Sequence, residues 1–469
     1  MTDTRPRIAV REIALFERRV AFARPFRFGD VTIDVAAQAF VRVEIALDNG
    51  TSAIGASAEM LVPKWFDKRP GRTPARTADD LRRSLLIARE LYLSGSGYDT
   101  AFGLHAQRYA AQREACARED IPPLAAAFGP AEIDKAIVDA VLRGTGRNVF
   151  DGLRDNIAGI DARLTPDLSA ATIDKFLGSR QRVTGVAIRH TVGLGDTIEG
   201  EGGVADPRET SGAHYFKLKL GGNPEDDAAR LIRIGREFAR LPRLDGVSLD
   251  ANEQYADLAA LKELCDRLDR DAALAPIADK LLYIEQPMPR ERTMQTPLGA
   301  LASRAFIIDE ADDSYDAFPT ARRLGYRGVS MKSCKGIYKA LLNAARAAQA
   351  EANGERAFVT AEDLTCQAGL GVQQDLALGA FVGVSHAERN GHHYVDGFAA
   401  APAHEAQAFL AAHPDLYNDD SGTIRLAIHH GALSTASLVA SGFAAGAQPD
   451  WASLSQLSIP TSELTKEHA

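Results

Sequence analysis

The chain has 469 residues, 45% hydrophobic and 25% charged, with a formal net charge of −9. That composition is globular; no run of about 18 apolar residues could span a bilayer, and an acidic balance without a dense Lys/Arg block argues against a nucleic-acid partner. Four scattered cysteines (Cys116, Cys265, Cys334, Cys366) lack CxxC spacing and read as reduced thiols. The start, MTDTRPRIAVREIALFERR, has no secretory pattern, so a cytoplasmic protein is expected.

Residues 7 to 60 hold IAVREIALFERR and FRFGDVTIDVAAQAFVRVEIALDNGTSAIG. These short alternating apolar runs, with an Asn49-Gly50 turn, predict antiparallel strands. TADDLRRSLLIARELYL and AEIDKAIVDAVLRGTG carry apolar residues three and four apart. They predict helices, the first with Thr77 as N-cap candidate and the second ending at a glycine. Together these elements predict an N-terminal α+β domain over residues 1–160. A polar, glycine-rich stretch follows, HTVGLGDTIEGEGGVADPRETSGAH, which lacks the GxxxxGK[ST] phosphate-loop pattern.

Short strands and amphipathic helices then alternate. The strand candidates are VTGVAIRH, HYFKLKL, GVSLDAN, LLYIEQP, AFIIDEA, RGVSMKS, RAFVTAED and VGVSHAER. Eight such units predict an α/β fold, a parallel β/α (TIM-like) barrel over residues 180–395. The alanine- and serine-rich segment 396–469 lies outside the pattern and is expected to return to the first domain or cover the barrel, with its end, TSELTKEHA, disordered.

In such a barrel the C-terminal ends of the strands converge on one mouth. Here those ends carry Lys217 and Lys219, Asp250 and Asn252, Glu285, Asp309 and Glu310, and Lys332. Asp250, Glu285 and Asp309 come from consecutive strands, and three such acids repel unless neutralised. A divalent cation would do so. An all-oxygen donor set without His or Cys favours Mg²⁺, with Mn²⁺ as the alternative. Asp309 and Glu310 are adjacent, so a regular strand turns only one of them inward; Asp309 is preferred. Lys217 and Lys219, two apart, both aim into the barrel. Burial near one another and near a cation would lower an ammonium toward neutrality, as a base requires. Lys332 is four strands further round, so two bases would flank the metal. Removal of an α-proton from a carboxylate is the chemistry this serves, the cation taking up the charge of the enediolate.

YFKLKLGG, VSLDANEQY, LLYIEQPM, FIIDEADDS and GVSMKSCKG together resemble the enolase superfamily, specifically its muconate lactonizing enzyme and dipeptide epimerase branch within the mandelate racemase-like proteins. The N-terminal FRFGDVTIDVAAQAFVRVEIALDNGTSAIGASAE is similar to that family's capping domain, which the C-terminal segment would complete. The resemblance implies that Lys219 is one acid/base catalyst, with Lys217 tuning it and helping to hold the substrate carboxylate, and that Lys332 is the opposite catalyst. It implies Asp250, Glu285 and Asp309 as metal ligands, with Glu310 as a neighbour; Asn252 and Glu310 are substrate-binding candidates at the same strand ends. It places specificity loops at ARPFRFGD, around Phe26, and at ASAEMLVPKWFDK, around Met60, Lys64 and Trp65. The chain departs from relatives in having no His–Asp pair after the sixth strand. Its eighth strand ends HAERNGHHY, without the Asp-x-Asp that grips an α-ammonium group, which speaks against dipeptide substrates.

Glu388, His392 and His393 read equally as substrate-binding or proton-relay groups and as a polar loop that satisfies itself. Glu362 and Asp363 face the same choice. The expected function is a Mg²⁺-dependent racemase or epimerase of a small carboxylate, working as a homo-oligomer. A dehydratase or cycloisomerase on the same site is the alternative; a Schiff-base lyase and a catalytically retired binding barrel are weaker ones.

Overall fold

The structure, a computed structural model, describes residues 5–28, 31–95 and 97–459. The TSELTKEHA segment and the Gly29-Asp30 tip of the first specificity loop lie outside the described residues. Three long antiparallel strands open the chain: β1 (Ile8–Phe28), β2 (Val31–Leu47) and β3 (Ser52–Met60). The β2–β3 connection is the Asn49-Gly50 turn. Gly50 takes φ +86°, and Asn49 Oδ1 accepts from the Thr51 amide at 3.0 Å, the side-chain-to-backbone bond that favours Asn in turns.

Helices α1 (Pro74–Leu93), α2 (Ala101–Arg118) and α3 (Pro123–Gly144) follow. The N-cap of α1 is Thr73, whose side chain accepts from the Arg76 amide, rather than Thr77. Pro74 is pre-set for the first helical position and lacks the N–H that would go unpaired there, so the helix begins one turn earlier than the apolar pattern does. Helix α3 likewise begins before the periodic run AEIDKAIVDAVLRG and continues through Pro130. It packs on β2 and β3. The approach is closest at Gly55, where a Cβ would stand 2.2 Å from the Ala136 carbonyl oxygen, so only glycine lets helix and sheet meet there.

The barrel strands are β4 (Gly185–Val192), β5 (Tyr215–Lys219), β6 (Gly246–Asp250), β7 (Leu281–Glu285), β8 (Phe306–Ile308), β9 (Gly328–Met331), β10 (Phe358–Ala361) and β11 (His386–Glu388). Each pairs in parallel with the next, and β11 closes on β4 with Glu388 opposite Arg189. All eight match the strands expected from sequence. The glycine-rich stretch between β4 and β5 holds only a four-residue helix, Pro207–Thr210, where a barrel repeat would carry a long one. The C-terminal segment touches both parts of the molecule. Ala432–Ser434 pairs antiparallel with β4, and Ser455–Gln456 adds to the outer edge of β1. Among the described residues no helix is long and apolar enough to cross a membrane.

Candidate active site

Register assembles the site. Lys219 lies opposite Asp250, and Asp250 opposite Glu285, so three strands present charge at one level. The backbone turns left-handed directly afterwards, at Asn252 (φ +44°), Glu253 (φ +74°) and Gln286 (φ +32°), a conformation that is uncommon for side-chain-bearing residues and concentrated at functional sites. The Gln286 side chain accepts from the amides of Asp309 (2.8 Å) and Ala311 (3.0 Å), tying the end of β7 to the residues after β8.

Lys217 stands at the centre, 1% exposed. Its ammonium lies 2.9 Å from Asp250, 2.9 Å from Glu285, 2.9 Å from Glu362 and 3.0 Å from Glu388. Deeper in the barrel, Arg189 pairs with Glu362, which also accepts from Tyr283 at 3.0 Å. Toward the mouth, Lys219 donates to Asp250 at 2.6 Å and Lys332 to Asp309 at 2.7 Å. Lys335 joins Asp309 at 3.2 Å and donates to the Ser330 hydroxyl at 2.9 Å. Five carboxylates (Asp250, Glu285, Asp309, Glu362, Glu388) thus meet five cations (Arg189, Lys217, Lys219, Lys332, Lys335).

Before any cation is counted, the carboxylates act on Lys217 against the lowering expected from burial. Burial alone pulls Lys217 down, but the carboxylates of Asp250, Glu285, Glu362 and Glu388 outweigh it and hold the ammonium well above its ordinary value. Lys332 is buried and raised likewise, chiefly by Asp309. The acids respond in kind. Against the upward push of burial, Lys217 and Lys219 bring Asp250 down to about 2, and Lys332 and Lys335 hold Asp309 well below the carboxylate range. Glu285 is the exception: burial, together with Asp250 and Glu362, drives it well above its usual value despite Lys217.

The alternation expected to turn only one of Asp309 and Glu310 inward does not apply, because β8 ends at Ile308 and both side chains are buried. Glu310 meets the cap: Lys68 donates to it at 2.6 Å and Asn252 at 3.2 Å. The cap lysine that reaches the barrel is therefore Lys68. Lys64, at φ +64°, turns its amine back to the carbonyls of Arg69 (3.2 Å) and Arg72 (3.1 Å) and stays out of the cavity.

The site opens on a cavity of about 350 Å³ of empty space, the open solvent at its mouth included. Lys217, Lys219, Asp250, Asn252, Asp309 and Lys332 line its barrel side, and Phe26, Val62 and Trp65 come from the cap. The Trp65 ring faces the Lys332 ammonium at 4.6 Å from its centroid, a cation–π contact. Met60 is buried at the end of β3 and does not line the cavity. Glu388, Asp363, Leu364, Thr365 and Asn390 close it from the ends of β10 and β11. Asp363 spends its oxygens on the amides of Cys366, Asn390 and Gly391, so it clamps two loops together. His392 and His393 line an outer cleft instead, with Arg24, Glu209, Asp396 and Arg425. Burial pushes His392 down to about 3.

Sequence reasoning missed Arg189, Lys335, Lys68 and Gln286. Arg189 and Thr191 alternate along VAIRHT, and Lys335 follows Lys332 by three in MKSCKG; the inward period of two and the turn after a barrel strand were signals for both.

The donor chemistry fits a hard divalent cation. Asp250, Glu285 and Asp309 offer oxygen only, and burial with Asp250 and Glu362 drives Glu285 well above its usual value, as in an acid short of positive charge. Among the described residues, however, no three His, Cys, Asp or Glu side chains converge as a ready metal cage; the Lys217 ammonium stands between Asp250 and Glu285.

No protein-family model and no curated protein sequence matches the chain. Solved structures do. A dipeptide epimerase from Methylococcus capsulatus, complexed with Mg and the dipeptide L-Arg-D-Lys, is 20% identical over 91% of this chain and 99% of that one, with TM-score 0.54. An enolase from Bradyrhizobium complexed with magnesium and mandelic acid is 16% identical over 96% and 97%, TM-score 0.59. A mandelate racemase/muconate lactonizing protein from Herpetosiphon aurantiacus is 17% identical over 92% and 98%, TM-score 0.56. The chain therefore shares the fold of these structures: an antiparallel cap over a closed parallel β/α barrel.

Proposed function

We propose that this protein is a Mg²⁺-dependent enzyme of the enolase superfamily that moves the α-proton of a small carboxylate, as a racemase or epimerase. The observation that carries the reading is the placement of Lys219 and Lys332. Their strands, β5 and β9, are four apart in either direction around the closed barrel, and both amines line one cavity. A substrate lying between them meets one amine on each face. Of these two ammonium groups, one would first have to shed its proton; as a neutral amine it then takes the α-proton on one face while the ammonium on the other gives one, so configuration inverts. Lys217, held by four carboxylates, keeps its charge and supplies a fixed positive field for the substrate carboxylate.

Asp250, Glu285 and Asp309 would hold Mg²⁺, with Glu285 the acid least compensated by the cations already there. Bound there, the cation supplies Lewis acidity that makes a proton beside a carboxylate removable. Phe26, Val62 and Trp65 cap the cavity, excluding water and bringing an apolar wall against the substituent on the α-carbon.

The test is incubation in D₂O with Mg²⁺ and a pooled set of carboxylates, read by mass spectrometry, with Lys219→Ala and Lys332→Ala beside the wild type. A gain of one mass unit in a substrate, lost or slowed about 10³-fold in the variants, is the expected result. Loss of water in its place selects a dehydratase on the same residues; no exchange and no Mg²⁺ uptake would sink the reading.

A further inference from the structure

A second buried charge cluster lies at the seam between cap and barrel, outside the cavity. Lys135 of α3 has its amine 2.9 Å from Glu132 and 3.5 Å from Glu59 at the end of β3. All three side chains are at most 1% exposed. The amine also lies 3.4 Å from the hydroxyl of Ser333, the residue that follows Lys332, and that hydroxyl donates to Glu59 at 3.4 Å. From the other side, the Ser333 amide donates to Asp375 at 2.8 Å. Arg389 pairs with Asp375 at 2.7 Å and donates to the Glu388 carbonyl at 2.7 Å. A chain of polar contacts thus runs from the cap, through the peptide after Lys332, to the end of β11.

Apolar side chains would fill a seam of this kind at lower cost, since two acids and one base desolvated together gain little net stability. What the triad supplies is direction, because its groups are satisfied in few arrangements. We propose that Glu59, Glu132 and Lys135 are positioning residues that fix Lys332 through Ser333, so that cap docking sets the geometry of the acid/base pair. The proposal rests on Lys332 being one of the two proton-transfer groups.

The cluster also carries an excess acid. Glu59 faces Lys135 and Glu132 from α3, Asp375 from helix Leu370–Val382 with Arg389 behind it, Cys334 from the turn after β9, and the Cys366 thiol at 3.7 Å. Three carboxylates share two cations. Burial pushes Glu59 up to about 8, with Glu132 and Asp375 adding to it and Lys135 opposing. Ionisation of Glu59 would draw Lys135 from Glu132 and strengthen the bond that Glu59 accepts from Ser333.

Amide hydrogen exchange of the full-length protein tests this without turnover, comparing residues 331–337 with residues 81–88 of α1. Lys135→Met is expected to speed exchange in 331–337 about tenfold at neutral pH and to leave 81–88 within twofold. Should that variant fail to fold, Glu59→Gln, isosteric with the protonated acid, keeps the test open. Corrected for intrinsic chemistry, wild-type exchange in 331–337 should fall about fivefold between pD 6 and 9 as the Ser333–Glu59 bond strengthens, and E59Q should remove the fall. A flat wild-type profile, an E59Q profile that follows the wild type, or acceleration spread equally over α1 overturns the proposal. With a substrate in hand, K135M should lower kcat about tenfold with KM within twofold; an unchanged kcat overturns the positioning role. A wild type that processes no carboxylate overturns the function reading alone, since the exchange result does not depend on it.

Discussion

The barrel mouth and the cap–barrel seam bury the same kinds of side chain and solve the resulting problem differently. At the mouth each carboxylate finds a cation, with Lys217 serving four of them. At the seam Lys135 serves Glu132 and Glu59 together, and one acid keeps its proton. Buried charge is stable when paired and hydrogen-bonded, and otherwise shifts its protonation state. Apart from Glu285, which burial and its acid neighbours push up, the mouth therefore holds paired charges suited to orienting an anion, whereas the seam's single cation leaves one of its acids in excess.

The strongest way to break the comparison is to remove the central cation. Lys217→Met leaves Asp250, Glu285, Glu362 and Glu388 facing a neutral side chain, and losing one partner of a buried ion pair costs about 3–5 kcal/mol. Denaturant unfolding of K217M should show at least that loss at neutral pH, partly recovered on acidification as the stranded acids take up protons. A K217M protein as stable as the wild type at neutral pH would mean that the four carboxylates do not depend on this ammonium.

The seam should respond in the opposite sense. Glu59 binds its proton up to about 8 in the folded protein and releases it near its ordinary value of 4.5 when unfolded. Between those values the folded state holds a proton that the unfolded chain has lost, so wild-type stability falls as pH rises through that window and levels off above it. Glu59→Gln has no proton to lose. Its stability relative to wild type should grow by about 1.4 kcal/mol per pH unit, or about 2–3 kcal/mol from pH 5 to 7, and then level off above about 8. A constant gap across that range would remove the excess-acid account of the seam.

The two regions also differ in how much of them the sequence announces. Strand periods of two and the one-unit spacing of charged strand ends placed Lys217, Lys219, Asp250, Glu285, Asp309 and Lys332 around one mouth, because a barrel converts repeat spacing into convergence. The neutralisation was not legible in the same way. Three acids in the sequence imply a cation, yet Arg189 and Lys335 supply much of the charge. The period of two and the turn after a strand pointed to them, but nothing in the sequence weighed their guanidinium and ammonium groups against those acids. Lys64 and Lys68 illustrate the limit: both sit in one short polar loop, and a left-handed φ at Lys64 decides which of them reaches Glu310. Nothing local marks Glu59, Glu132 and Lys135, since they come from a strand and a helix that meet a turn about 200 residues away, and a docking contact leaves no periodic trace.

The smallest expected effect is the one that separates the two clusters most cleanly. Glu285 is the mouth's least compensated acid, raised by burial and by its neighbours Asp250 and Glu362 despite Lys217. Added Mg²⁺ should therefore stabilise the chelator-treated protein, by about 1.4 kcal/mol at a concentration tenfold above Kd, read as a rise in Tm. Glu285→Gln keeps the volume and removes the negative charge, so it should abolish the rise. Glu59→Gln should leave the rise intact, because the seam's excess acid already has Lys135 beside it and a proton to carry. If both variants lost the response, the two clusters would be one coupled electrostatic unit, linked through Lys332 and Ser333. If neither did, Mg²⁺ would bind away from the mouth, and the five cations there would be its complete complement of positive charge.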